Sequence, residues 1–200
     1  MERALAAWLL LAVGAASLPG PTEAVRGAVE QLRAVVQDSG PAGPAAEQRR
    51  QEIRRIATRL FDFPEMARRA LARHWSSRTP QEREEFVRLF TDLLERSYLV
   101  KIENYSWERI VYTGETVDGQ FATVRSRIVR GQRDEIPVDY RLHLVGSRWA
   151  VYDVLVEGVS FVSIYRAQFN RVIQTASYEG LVEKMRALEP SGLELSAHKP

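Results

Sequence analysis

Hydrophobic positions recur along this chain at two different periods, and the point where one gives way to the other divides it. Val25, Val29, Leu32 and Val36 share one helical face between Val25 and Gln37. Gly40 to Pro44 reads as a loop. Ile53, Ile56, Leu60 and Phe61 then resume the helical spacing, while Arg49, Arg50, Arg54, Arg55 and Arg59 cover the remaining faces. Pro64 marks a third helix start ahead of Met66, Ala70 and Leu71. The signal at Thr79 is fuller: an N-cap threonine, Pro80 at the first helical position and Glu82 as the acid of a capping box. The helix it opens turns Phe86, Leu89, Phe90, Leu93 and Leu94 inward, with Ser97 on the same side.

Past Tyr105 the period falls to two. Trp107–Thr113, Phe121–Val129, Ile136–Val145 and Trp149–Val156 read as strands, separated by turn signals at Asp118-Gly119, Gly131-Gln132 and Gly146-Ser147. In the third strand Ile136, Val138, Tyr140, Leu142 and Leu144 share one face, and Pro137, Asp139, Arg141 and His143 the other. The same alternation puts Val151 and Val154 on opposite faces of the fourth. Short connections predict a four-stranded antiparallel meander. The pattern breaks at Glu157-Gly158, and Ser160–Thr175 and Tyr178–Leu188 read as two closing helices. The expected fold class is α+β, with the sheet packed against N- and C-terminal helices. Such a layout encloses either an apolar pocket or a solid core, and periodicity alone supports only the core.

The first residues belong to a different kind of segment. Arg3 precedes an apolar run from Ala4 to Ala16, and small residues lead into Pro19-Gly20-Pro21. This reads as a secretory signal peptide over residues 1–24, too short for a span of about 20 apolar residues. Cleavage after Ser17 and after Ala24 both satisfy the small-residue rule. Residues 25–188 are then one domain and 189–200 a polar tail. The sequence has no cysteine, so an exported protein of this kind relies on its hydrophobic core rather than on disulfides, and carries no lipidated cysteine. The expectation is a soluble exported protein. The formal charge is +2, and removing residues 1–24 takes away one base (Arg3) and two acids (Glu2, Glu23). So mild an excess does not point to nucleic acid.

Candidate chemistry is sparse. The three histidines, His74, His143 and His198, have no zinc-ligand spacing, and neither a nucleophile elbow nor a phosphate-cradling glycine loop occurs. His74 reads as a helix-end residue, and His143, alternating with Asp139 and Arg141, as solvent-facing. Two readings stand for Asp153 and Glu157. A buried carboxylate there could serve as the general base of a small cone-shaped α+β enzyme. Alternatively, one of them accepts hydrogen bonds from amides near Gly158-Val159 or pairs with Arg166. Arg125 and Arg127 share a strand face, with Arg130 and Arg133 at the adjacent turn. They read as a solvated face or as a positive rim for an anionic headgroup or acidic partner.

Leu60 to Ala67, Arg69 to Trp75, Thr79 to Arg83 with Phe86, and above all Asp139 to Leu142 with Gly146, Trp149, Val151 to Asp153, Glu157 to Ser160, Tyr165-Arg166 and Gln168-Phe169 carry a likeness. Together they resemble the MlaC (toluene-tolerance) family, periplasmic phospholipid carriers of Gram-negative bacteria. The likeness covers nearly the whole chain after the signal segment. It departs at Ala72, where the family usually has glycine, and at Ile164, where a polar residue is common. The resemblance implies a non-enzymatic soluble shuttle without cofactor or metal. It would carry diacyl phospholipid between an outer-membrane lipoprotein–porin complex and the MCE-domain subunit of an inner-membrane ABC transporter, meeting membranes only through those partners. It further implies a lipid pocket. The expected wall residues are Tyr140, Leu142, Leu144, Trp149, Val151 and Val154 on strands, and Phe90, Leu93, Phe161, Ile164, Tyr165 and Phe169 on helices. Tyr105 stands where the family has an aromatic residue. Arg125, Arg127 and Arg166 are the candidate headgroup rim. A periplasmic adaptor with a filled core is the third reading of the same residues.

Overall fold

Helix α1 (Pro21–Gln37) begins a turn earlier than the periodicity indicated, because Pro21 suits the first helical position and is itself buried. The structure, a computed structural model, describes residues 19–37, 44–103, 109–130 and 134–187. The expected signal core, the tail, Tyr105 and the Gly131-Gln132 turn lie outside them. Thr22 pins the first turn of α1 through its amide and hydroxyl, which donate to Glu115 Oε2 at 3.0 and 2.6 Å.

α2 (Pro44–Leu60) packs on α1. α3 (Phe63–Leu71) follows after a two-residue link and is capped by Asp62, whose Oδ1 accepts from the Glu65 amide at 3.0 Å. A 3-10 turn (Ala72–His74) leads to α4 (Pro80–Glu103). The capping box is complete: Thr79 N donates to Glu82 Oε2 at 2.7 Å and Glu82 N to Thr79 Oγ1 at 3.2 Å. That backbone hydrogen bond holds the Glu82 carboxyl below its ordinary pKa.

The sheet is the expected meander with a fifth, two-residue strand. β1 (Arg109–Asp118), β2 (Phe121–Arg130), β3 (Asp134–Val145), β4 (Arg148–Val156) and β5 (Val159–Ser160) lie in sequence order, each antiparallel to the next. Glu157 and Gly158 both have positive φ, 52° and 80°, as a two-residue type I′ hairpin turn requires. The break expected before the last helices is therefore a hairpin. Ser160 ends β5 and caps α5 (Phe161–Thr175), its Oγ accepting from Ser163 N at 3.0 Å. α6 (Tyr178–Ala187) closes the described chain.

One sheet-face expectation is corrected. Val151 pairs with Leu142 and Val154 with Tyr140, because a bulge in β4 opposite Arg141/Leu142 absorbs one residue. Leu142 and Tyr140 share a face, so both valines turn inward, and both are buried. The alternation rule fails here for a backbone reason that no glycine or proline announces.

Two cores result. Val25, Ala28, Ile56 and Leu60 of α1 and α2 cover the inner sheet face, packing on Val124, Val138, Leu142, Val151 and Val154. The second core lies among α3 to α6, where Phe86, Phe90, Tyr165 and Phe169 meet edge to face at centroid distances of 5.2–5.6 Å. Each such pair contributes about 0.5–1.5 kcal/mol beyond its buried area. Phe61 belongs to both cores. It bridges to Val151 beside β4, and the adjacent Asp62 amide donates to Val151 O at 2.9 Å, so the chain passes the sheet edge at the α2–α3 link.

Candidate functional site

At the seam between these cores lies a cavity of about 140 Å³ with an almost wholly apolar wall. α2 contributes Ile53, Arg54 and Ala57, and the link and α3 contribute Phe61, Phe63 and Met66. α4 adds Leu94, Glu95 and Tyr98, with Val154 and Phe161 behind. The face of α2 is split: Ile56 and Leu60 go to the sheet core, while Ile53, Ala57 and the following Phe61 turn to the seam. Tyr98 stacks on Phe161 at 5.5 Å, and burial drives its phenol pKa well above the ordinary range. Arg54 Nε meets both carboxylate oxygens of Glu95 at 2.8 Å across the mouth. A second crevice, about 240 Å³, lies under α1 between Ala28, Leu60, Arg148 and Trp149. There Arg148 Nη1 donates to Arg59 O at 2.7 Å, at the end of α2.

The expected pocket residues distribute unevenly over this geometry. Val154 and Phe161 line the seam cavity and Trp149 the crevice under α1. Leu142 and Val151 are fully buried beneath α1 and α2, with Tyr140 packed against them. Leu144, beside Trp149 in the register, is half-buried, as is Ile164 on α5. Phe90, Leu93, Tyr165 and Phe169 fill the helical core. The expected confrontation of α4 and α5 with the inner sheet face is corrected in part: α1 and α2 cover most of that face, and of the expected helical residues Phe161 of α5 reaches it beside Val154. Ile53, Ala57, Phe61, Phe63, Met66, Leu94 and Tyr98 were missed as cavity residues. Their helical periodicity marked several of them as inward, but which neighbour they would face depends on how the helices pack.

The cationic candidates lie elsewhere. Arg125 and Arg127 are exposed, on the sheet face opposite Val124 and Ser126. Arg125 donates to Thr116 Oγ1 at 3.1 Å and Arg127 to Glu135 Oε2 at 2.7 Å. Arg166 donates to Ser163 Oγ at 2.7 Å and lines a polar cleft of about 390 Å³ with Arg68, Arg69 and Arg141.

The carboxylates that left two readings open have definite surroundings. Asp153 is 3% exposed. Its Oδ1 accepts from Val162 N at 3.1 Å, its Oδ2 from Ser160 Oγ at 2.6 Å, and Arg141 Nη1 stands 3.5 Å away. A carboxylate so placed anchors the N-terminus of α5. The amide it holds is that of Val162, and Arg166 is bonded elsewhere. Glu157 is exposed in its turn. His143, expected in solvent, is instead mostly buried: its Nε2 lies 2.9 Å from Asp62 Oδ2 and its ring meets Tyr152 edge-on. His143 does lie on the face the alternation assigns it, but the α2–α3 link covers that face at this point. His74 Nε2 lies 3.0 Å from Asn170 Oδ1. Among the described residues no group of three His, Cys, Asp or Glu is placed to hold a metal ion, and no helix is long and apolar enough to cross a membrane.

A family profile described as "MlaC protein" matches residues 26–187. The intermembrane phospholipid transport system binding protein MlaC of Haemophilus influenzae is 24% identical over 123 residues, 59% of this chain and 58% of that protein. A toluene tolerance protein of Pseudomonas putida is 28% identical over 97 residues, 48% of this chain and 45% of its own length. The chain thus spans about half the length of the curated relatives it matches. A phospholipid-binding protein from Ralstonia solanacearum, solved in complex with a phospholipid, superposes with a TM-score of 0.71 at 24% identity, covering 82% of this chain and 93% of that one. At that identity the likeness speaks to the fold.

Proposed function

The chain belongs to the MlaC family, and from that premise we propose that it binds a diacyl phospholipid and carries it across the periplasm. Donor and acceptor in this reading are an outer-membrane lipoprotein–porin complex and the MCE-domain subunit of an inner-membrane ABC transporter. The observation that carries the proposal is the apolar cavity at the seam of two separately packed cores.

Its size constrains how it works. About 140 Å³ is close to the volume that accommodates a benzene ring and below the roughly 300–1,000 Å³ of small-molecule sites. An acyl chain therefore enters only if the seam widens. The two cores supply a natural division: α1, α2 and the sheet on one side, α3 to α6 on the other, with Phe61 and Asp62 linking them at one place and the β5–α5 junction, anchored by Asp153, at another. Energetics favour such a route. Burying two chains of about 16 carbons at about 0.8 kcal/mol per methylene gives about 25 kcal/mol relative to water, above the practical ceiling of about 18–21 kcal/mol for net affinity. A carrier exchanges lipid with sites that already bury the chains, so transfer is near neutral when donor and acceptor dock, and the protein needs no energy source of its own.

Organic-solvent extraction of the purified protein followed by mass spectrometry tests this directly. About one phospholipid per protein is expected. Repeated recovery of none counts against the carrier. Ala57→Phe, which projects a ring into the cavity, should lower occupancy while the far-ultraviolet circular dichroism stays native; unchanged occupancy removes the seam as the site.

A further inference from the structure

We propose that Arg54 is the residue that recognises the phosphodiester of the bound lipid, with Glu95 holding its place while the cavity is shut. The inference rests on the carrier reading and adds a specific ligand group to it. Arg54 and Glu95 are the two charged members of an otherwise apolar lining. They face each other across the mouth from different helices, α2 and α4, with Arg54 Nε bonded to both Glu95 oxygens at 2.8 Å. The Arg54 side chain is 50% exposed and that of Glu95 19%, so the guanidinium sits at the solvent end of the contact.

A solvent-screened pair of this kind is a weak tie. Widening the seam for an acyl chain draws α2 from α4 and separates the partners. A chain lying among Ile53, Ala57, Phe61 and Phe161 brings its phosphodiester to the mouth, where the freed guanidinium offers forked donors to an anion whose oxygens resemble those of the carboxylate it has lost. Glu95 bears the same sign of charge as the phosphodiester, so it competes with the lipid for Arg54 and repels the headgroup once displaced. Exchange of partner thus links opening to loading. The rim arginines on the outer sheet face, Arg125 and Arg127, are already engaged on the side of the sheet away from the seam.

The two residues are predicted to behave differently when altered, which a simple latch does not allow. Delipidated full-length wild type, Arg54→Gln and Glu95→Gln are titrated with fluorescent phosphatidylglycerol and with a fluorescent diacylglycerol that lacks the phosphate. Arg54→Gln should weaken phosphatidylglycerol binding about tenfold, as expected for loss of a charge-assisted hydrogen bond, and leave diacylglycerol unchanged. Glu95→Gln should bind phosphatidylglycerol at least as tightly as wild type and load it faster. Glycerophosphoglycerol, the headgroup without chains, should not compete at millimolar concentration; competition would show a free-anion site and overturn the proposal. Equal effects of both substitutions on both lipids reduce the pair to a latch and also overturn it. Wild type that binds phosphatidylglycerol, with Arg54→Gln indistinguishable from it, refutes the role of Arg54 alone. Wild type that binds neither lipid refutes the carrier reading and this inference together.

Discussion

Replacing Ala72 by glycine should make this protein more stable, although it removes a methyl group and loosens the unfolded chain. Ala72 adopts φ 49° and ψ −119°, a region that side-chain-bearing residues rarely occupy. Its backbone is held there from both sides: its amide donates to Arg68 O and its carbonyl accepts from Trp75 N at 3.0 Å. A residue forced into such a conformation stores about 1–3 kcal/mol. Glycine relieves that strain and returns about 0.4–1 kcal/mol through the greater freedom of the unfolded chain. The net gain is about 1 kcal/mol, or a rise of about 2–4 °C in Tm for a domain of this size. Urea and thermal unfolding followed by circular dichroism measure it. Gly119→Ala is the reciprocal control: φ is 55° and an added Cβ meets nothing within 4 Å, so its loss of about 1 kcal/mol is conformational alone. An Ala72→Gly protein of equal or lower stability would refute the strain argument. The glycine usual in the family at this position would then need another explanation.

Other outcomes follow from the same geometry. Asp153→Ala strips the acceptor from Ser160 Oγ and the buried Val162 amide and should cost about 2–4 kcal/mol in urea unfolding; a loss below about 1 kcal/mol contradicts its anchoring role. Glu65 is affected most by burial, which raises its pKa, but hydrogen bonds from Arg68 and Arg69 outweigh burial and leave the net value lowered. Its stabilisation is therefore present above the unfolded carboxyl pKa and is lost as pH falls through the lowered folded value, and Glu65→Gln should flatten the acid limb of the stability profile. Burial pushes the Tyr112 and Tyr178 phenols up to about 12, so their contribution is full below about pH 10 and disappears as pH rises through 12; absorbance titration at 295 nm should show ionisation delayed until unfolding. If the expected signal segment is removed, cleavage after Ser17 leaves α1 whole, whereas cleavage after Ala24 deletes its first turn and the Thr22–Glu115 contact; N-terminal sequencing of protein expressed with its leader should then start at Leu18, and a start at Val25 would contradict this.

What could be read in advance was what local chemistry encodes. Thr79, Pro80 and Glu82 announce the start of α4 because a capping box is satisfied within four residues. The alternation of β3 reports its buried face because one side of the sheet is covered. The bulge that turns Val151 and Val154 the same way leaves no such mark, since any residue can occupy it. The cavity is harder still. Ala57 and Met66 look like ordinary inward residues, and Arg54 like one more charge on a basic helix. They become a site only because two cores meet at Phe61, a product of packing between segments far apart in sequence. The resemblance implies a pocket, but not that α1 and α2 would cover most of the sheet face, with α5 reaching it only at Phe161.

The two edges of the sheet have a consequence if the seam widens to admit lipid, as proposed. An exposed strand edge invites pairing with another chain, and every opening event adds apolar surface to that risk. Here β4 is sheltered by β5 and by the bridge from Phe61 to Val151, so the edge beside the seam is already occupied. At the opposite side β1 is irregular, its register slipping between Tyr112 and Gly114, which makes a poor template for a foreign strand. Both edges of the sheet are thereby poor templates for strand pairing between molecules.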